Sequence, residues 1–80
     1  MMTRNQIIEE LKTRLASEFA RPFDLHLFED GIRQEDDWWY VPVSSGIADA
    51  NAFQYSPILN RIEEEFETQG TKLLLIPALN

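Results

Sequence analysis

The chain has no cysteine, one histidine and three glycines among its 80 residues. Without cysteine it has no disulfide framework, no thiol nucleophile and no thiolate metal site. The three glycines lie far apart in the sequence, so they do not form a glycine-rich phosphate-binding loop. Several common kinds of functional site are therefore excluded by the residue types that the chain lacks.

Long hydrophobic runs are also missing. No apolar stretch approaches the roughly 18 residues that a membrane-spanning helix requires. The first residues, Met1-Met2-Thr3-Arg4-Asn5-Gln6, lead into charged positions and not into a signal-peptide core. Because neither an export signal nor a disulfide is present, we expect a cytoplasmic protein. The length predicts a single domain over residues 1–80.

Basic residues are scarce, with 7 Lys and Arg against 14 Asp and Glu, for a net charge of −7. Most of the excess falls in residues 23–50, where Arg33 opposes seven acids: Asp24, Glu29, Asp30, Glu35, Asp36, Asp37 and Asp49. Nucleic acids and anionic membranes bind basic surfaces, so this charge disfavours both as direct partners. The acidity could also serve solubility alone.

Two segments have helical periodicity. Thr3 and Gln6 have the spacing of a capping box and precede apolar residues at three- and four-residue steps, which predicts a helix that ends near residue 20, before Pro22. Ser56-Pro57 predicts the start of a second helix, and Gly70 its C-terminal cap. Between residues 47 and 55 two interpretations stay open, an ordered loop or a helix capped by Asp49.

Three segments have the character of strands. Residues 23–28 alternate, residues 38–43 contain both tryptophans, and residues 72–76 are short and mostly apolar. The first two should form an antiparallel hairpin with a long charged connection through Glu29–Gly31 and residues 32–37. The third is expected to be buried on both faces and, like the second, to end at a proline.

The element order α-β-β-α-β predicts a small two-layer α+β domain, with a three-stranded mixed sheet packed against two helices. A right-handed crossover should make the last strand parallel to the Trp38 strand. Alternation places one set of side chains on one face of the sheet: Phe23, Leu25, Leu27, Trp39, Val41 and Val43. The other face would hold His26, Phe28, Trp38 and Tyr40 together with two apolar residues of the last strand. If both helices cover the same face, Phe28, Trp38 and Tyr40 form an exposed partner site.

The sequence has no convincing catalytic or metal motif. His26 could act as a general base or metal ligand, but a histidine that alternates with strand leucines is more often a surface residue. The acids at positions 29–37 lack the spacing of a calcium-binding loop. Ser44-Ser45-Gly46 has no nucleophile-elbow pattern. We therefore predict no catalytic residue, no cofactor and no dedicated metal site.

Three functional hypotheses remain. The first is a non-enzymatic interaction module that binds a basic protein, as an immunity protein, antitoxin or nucleic-acid mimic would. Its interface would include six residues: Phe28, Glu35, Asp36, Asp37, Trp38 and Tyr40. The second is a homodimer or accessory subunit whose apolar sheet surface is buried by self-association. The third is a small enzyme with a site between subunits that uses His26 and acidic residues.

Overall fold

The computed structural model describes residues 2–47 and 51–78. The elements are α1 (Arg4–Leu15), β1 (Leu25–Leu27), β2 (Arg33–Glu35), β3 (Trp38–Ser45), α2 (Ala52–Thr68) and β4 (Lys72–Pro77). Short 3-10 turns at Arg21–Phe23 and Glu29–Gly31 flank β1. The α+β class predicted from the sequence is confirmed. No helix among the described residues is long and apolar enough to cross a membrane.

α1 begins as the sequence predicts and ends earlier. The Gln6 amide donates to Thr3 Oγ1 at 3.2 Å and the Thr3 amide to Gln6 Oε1 at 2.8 Å, which is a complete capping box. The helix ends at Leu15, and not near residue 20. Ser17 ends it by donating both its amide and its hydroxyl to the Arg14 carbonyl, at 3.2 and 2.5 Å. These bonds satisfy a terminal carbonyl that a continuing helix would have paired with a later amide.

The first helical residue of α2 is Ala52, five residues before the predicted first helical residue, Pro57, for which Ser56 is the expected N-cap. Asn51 is the N-cap and forms a capping box with Gln54, so two amides are satisfied before the chain reaches Pro57. The helix continues through Pro57. Its C-terminus agrees with the prediction: Gly70 has a φ of 84°, and Thr71 N donates to Phe66 O at 3.0 Å in a Schellman motif. The alternative cap at Asp49 lies outside the described residues.

β3 is the central strand of the sheet. β4 pairs with it in parallel, from Trp38 opposite Lys72 to Val43 opposite Pro77, as the crossover rule predicts. β1 and β2 both pair antiparallel with β3, at residues 43–45 and 38–40 respectively. Phe28 N donates to Pro42 O, whereas Ala78 N donates to Val43 O, so successive β3 carbonyls point to opposite sides. β1 and β2 therefore both lie on one side of β3, and β4 lies on the other side. The sheet has four strands, one more than the sequence predicts, but only three lie side by side at any point along β3.

Pro42 accounts for the break between β1 and β2. It lies inside β3, which continues to Ser45, so the prediction that this strand ends at a proline is wrong. Its nitrogen faces the β1–β2 side and has no hydrogen to donate, and there the neighbouring chain leaves the sheet in the turn Glu29–Gly31. Gly31 allows the close approach, because a Cβ at this position would lie 2.8 Å from Pro42 Cγ.

The hairpin connection is also shorter than the sequence predicts. Arg33–Glu35 forms strand β2, whose last residue, Glu35, pairs with Trp38 of β3. The chain therefore reverses in the two residues between them. Asp36 has a φ of 55° in this turn. Aspartate tolerates the left-handed region better than most residues do, which makes a two-residue hairpin turn possible without glycine. The expected long loop is thus a tight turn and a strand.

Both helices pack on the same face of the sheet. One continuous core contains Ile7 and Leu11 from α1, Leu59, Ile62 and Phe66 from α2, and Leu25, Val41, Val43, Leu73 and Leu75 from the sheet. Arg14 of α1 forms an ion pair with Glu65 of α2, and Arg61 of α2 lies 4.4 Å from the ring centroid of Phe19. This is the two-layer arrangement predicted from the sequence, and neither helix covers the opposite face of the sheet.

Candidate interaction surface

The face of the sheet turned away from the helices is apolar at its centre. We call it the open sheet face and define it by six residues: Phe28, Trp38, Tyr40, Pro42, Leu74 and Ile76. Side chains alternate along β3, so Trp38, Tyr40 and Pro42 point to the face opposite the buried Val41 and Val43. The strand register places Tyr40 beside Leu74 and Pro42 beside Ile76, so the side chains form one contiguous surface.

The exposure of these side chains is large for a domain of this size. Phe28 is 57% exposed, Trp38 42%, Leu74 40% and Ile76 37%. Given the usual areas of such side chains, these four residues alone present roughly 350 Å² of apolar surface. Contiguous patches of several hundred Å² on a monomer often mark a functional surface. The prediction that β4 is buried on both faces is wrong, because Leu74 and Ile76 lie on this uncovered side.

Polar residues border the apolar centre. Glu35 and Lys72 lie on either side of Trp38 in the sheet, and Arg33 lies beside Tyr40. The Arg33 guanidinium is 5.6 Å from the Tyr40 ring centroid and 3.5 Å from Glu35 Oε1. An apolar centre with a charged rim is the usual anatomy of a protein–protein interface.

Acidic residues from two parts of the chain lie at the Trp38 end of the sheet. The hairpin turn contributes Glu35, Asp36 and Asp37. A cleft of about 350 Å³ runs from Trp38, Lys72 and Leu74 over the edge of β4 to three acids of α2, Glu63, Glu64 and Glu67. We call these six acids, together with Trp38, the acidic corner. No local pattern indicates that the α2 acids belong here, since on their own they are typical of a solvated helix face.

The predicted interface residues divide between the open sheet face and the hairpin turn next to it. Phe28, Trp38 and Tyr40 belong to the open sheet face, and Glu35 lies beside Trp38. Asp36 and Asp37 form the turn, and Asp37 lines a separate cleft with Trp39 and Thr71. Sequence reasoning missed Pro42 and did not identify which two apolar residues of the last strand belong to this face. The structure identifies them as Leu74 and Ile76. One of the other acids in residues 23–50 lies away from this surface: Glu29 Oε2 is 3.5 Å from Lys12 Nζ of α1.

The free edge of β4 is protected by two features. Leu75 N donates to Glu63 Oε2 at 2.7 Å, so a side chain occupies the place that a neighbouring strand would take. Pro77 has no amide hydrogen to offer at the same edge. Burial raises the pKa of the Glu63 carboxyl, and the bond from Leu75 partly offsets this increase. The β4 edge is therefore poorly suited to pairing with a strand of a second chain.

His26, Asp24 and Ser44 meet at the opposite end of the sheet. His26 Nε2 lies 2.9 Å from Asp24 Oδ1, and Ser44 is the cross-strand neighbour of His26. Both partners of the His26–Asp24 pair are more than half exposed, and within the described chain no hydrogen bond joins Ser44 to His26. A nucleophile needs a base within hydrogen-bonding reach, so this geometry does not favour catalysis.

Metal-binding clusters are also not found among residues 2–47 and 51–78, where no group of three or more His, Cys, Asp or Glu side chains is placed to hold an ion. The adjacent acids of the hairpin turn thus have no ligand geometry. The open sheet face and its acidic corner are the most distinctive surface of the described chain.

Comparison with known proteins adds no functional assignment. No family model, no curated protein and no solved structure matches this chain. The function of this chain must therefore be inferred from the geometry of the open sheet face.

Proposed function

We propose that this protein is a non-enzymatic interaction module that binds a basic protein partner through the open sheet face. The observation that supports this most directly is a sheet face that neither helix covers and that is apolar at its centre and acidic at one corner. An acidic inhibitor of a basic toxin or nuclease, in the manner of an immunity protein, antitoxin or nucleic-acid mimic, fits this description.

The two parts of the surface have different physical roles. Apolar side chains supply short-range affinity when water is removed from them, and tryptophan is prominent among the residues that dominate binding energy. The carboxylates act at longer range, because they attract a basic surface and orient it before contact. Association should therefore slow as salt is added, whereas loss of Trp38 should mainly speed dissociation.

The test is capture of the native partner with matched variants of the bait. Wild-type protein, a Trp38→Ala/Leu74→Ser double variant and a Phe53→Ser control would be compared, since Phe53 is 90% exposed on α2 and lies outside the open sheet face. We expect one basic protein to be retained by wild type and control and lost by the double variant. A partner that the double variant binds equally well would refute the proposal.

The charge of the partner is tested separately. Replacing Glu35, Asp36 and Asp37 together with Ser should slow association with the identified partner at low salt and leave the fold intact. If the triple variant associates at the wild-type rate in low salt, the hairpin acids are only a solvated turn.

Self-association through the same face is the second candidate, because a second copy would also cover Phe28, Trp38, Leu74 and Ile76. Light scattering at micromolar concentration distinguishes it, since a single chain has a mass of 9.3 kDa. A dimer that the Leu74→Ser substitution dissociates would favour this candidate over a basic partner.

A further inference from the structure

We infer that the element which binds the open sheet face is one amphipathic helix of the partner, with its Lys and Arg side chains at the end that lies over Trp38. This inference rests on the proposed function and specifies the kind of segment that is bound. It is supported by the dimensions of the face, by the state of the sheet edges and by the placement of charge.

The dimensions match a single helix. From Trp38 to Ser44, β3 is about 20 Å long at roughly 3.3 Å per residue, and the outer strands lie about 10 Å apart. A helix is about 10 Å across and rises about 1.5 Å per residue, so about 13 residues would span the face. A helix in this position would give the sheet a second helical layer, which is a standard way to cover an apolar sheet face.

The sheet edges disfavour an added strand. An incoming strand needs a row of free backbone donors and acceptors. On the β4 side, Glu63 already accepts the Leu75 amide and Pro77 offers none. On the other side, the turn Glu29–Gly31 separates β1 from β2 and interrupts the edge. A helix needs neither edge, because its backbone groups are paired internally.

A second copy is disfavoured by charge. Each chain has a net charge of −7, so two open sheet faces brought together would both be acidic. A parallel alignment of the two faces would also place one acidic corner on the other. A basic helix instead neutralises the carboxylates that a second copy would repel.

The charge of the face sets the direction of the helix. The Trp38 end of the face is acidic. Glu35 lies beside Trp38, and Asp36 and Asp37 form the adjoining turn. The three α2 acids line the same cleft as Trp38, and Arg33 and Lys72 are the basic residues on this part of the face. At the other end Asp24 faces His26 at 2.9 Å, beside Ser44. Lysine or arginine side chains over Trp38 would thus meet carboxylates together with the face of an indole ring, which itself attracts cations.

The experiment uses the full isotope-labelled chain and two synthetic peptides of identical composition, each about 15 residues long. One has leucines at helical spacing and a cluster of lysines at one terminus, and the other has the same leucines at alternate positions, as in a strand. We expect the helical peptide to bind at least about tenfold more tightly and to shift the amide resonances of Trp38, Tyr40 and Leu74. Leu74→Ser should weaken this binding about tenfold, whereas Phe53→Ser should leave it unchanged.

Orientation is read from a spin label on either terminus of the helical peptide. A label at the lysine terminus should broaden the amide signals of Asp37 and Trp38, and a label at the other terminus those of Ser44. The reverse pattern, or equal broadening at both ends, would overturn the inferred direction. Equal or tighter binding of the alternating peptide would overturn the helix itself and favour an extended segment.

Failure of this inference is distinguishable from failure of the proposed function. If the native partner depends on Trp38 and Leu74 but the helical peptide shows no preference over its isomer, the inference fails and the proposed function stands. If the native partner binds the Trp38→Ala/Leu74→Ser variant as it binds wild type, the proposed function fails. A dimer held by the open sheet face would overturn the inference in favour of a second copy.

Discussion

Glu63 offers a sharp test of how the β4 edge is protected. The substitution Glu63→Ala removes the acceptor of the Leu75 amide, and Glu63→Gln keeps an oxygen in nearly the same place without the charge. A hydrogen bond to a charged group contributes about 1.5–3 kcal/mol, but burial of the Glu63 carboxylate opposes this gain, so we take a net contribution of about 1 kcal/mol. For a domain of this length, about 1 kcal/mol corresponds to roughly 5 °C in Tm. We expect Glu63→Ala to lower Tm by about that amount at pH 7.

The two variants should differ from wild type in opposite directions at pH 7, although both lose the titration of Glu63. Because burial raises the pKa of Glu63, the folded state binds a proton more tightly than the unfolded chain does. The stability that this provides is fully present below the unfolded pKa and is lost as the pH rises through the folded pKa. Glutamine resembles the protonated form at every pH. Glu63→Gln should thus be at least as stable as wild type at pH 7, and its advantage should shrink as the pH falls to 4.

Thermal unfolding followed by circular dichroism at pH 4 and pH 7 measures both effects. Light scattering of Glu63→Ala adds a second readout, since an uncapped edge amide should promote association between β4 strands. The reasoning would be refuted if the alanine and glutamine variants had the same Tm at both pH values. An equal Tm would mean that the oxygen acceptor does not stabilise the edge, whereas the effect of the charge is measured by comparing Glu63→Gln with wild type.

Two glycine substitutions test the backbone account of the fold. Gly70→Ala forces a Cβ onto a residue at φ 84°, which should cost about 1–2 kcal/mol and lower the urea midpoint without a change in slope. Gly31→Ala places a Cβ 2.8 Å from Pro42 Cγ and 2.9 Å from Phe28 Cδ1, so overpacking should cost about 1–3 kcal/mol and shift the Phe28 and Pro42 resonances. Wild-type unfolding curves for either variant would contradict the corresponding account.

Local sequence patterns were sufficient to predict much of the fold. Alternation in residues 23–28 and 38–43 predicted correctly which side chains enter the core, because the side-chain period of a strand leaves only two choices. The capping box at Thr3 and the cap at Gly70 also needed only local rules. The parallel direction of β4 followed from the handedness of a strand–helix–strand connection.

The errors arose where two local signals competed. Ser56-Pro57 is a good helix start, yet the capping box of Asn51 and Gln54 lies upstream and begins α2 there. Likewise Glu29–Gly31 has the residues of a turn and predicts the start of the hairpin connection. The chain instead re-enters the sheet at Arg33 and turns at Asp36. Both turn segments are consistent with their local sequence. Only the pairing of β2 with β3 shows that the hairpin reverses at residues 36–37.

The placement of layers was beyond the reach of local pattern. Residues 73–76 are uniformly apolar, so they carry no alternation to show which side chains are covered. Burial of Leu73 and Leu75, and exposure of Leu74 and Ile76, follow from both helices packing on one face. Local pattern does not decide whether the two helices share a face, and the existence of the open sheet face depends on this arrangement.

The acidic corner shows why the topology matters more than the charge total. Glu63, Glu64 and Glu67 lie more than 25 residues from the hairpin turn in sequence, and the pairing of β4 beside β3 brings them to Trp38. Like charges gathered in this way repel one another and lower stability, whereas spreading them would serve solubility equally well. The same concentration opposes contact with another acidic chain and favours contact with a basic one. The exposed indole of Trp38 beside these acids thus supports the proposal of a basic partner more than a role in solubility alone.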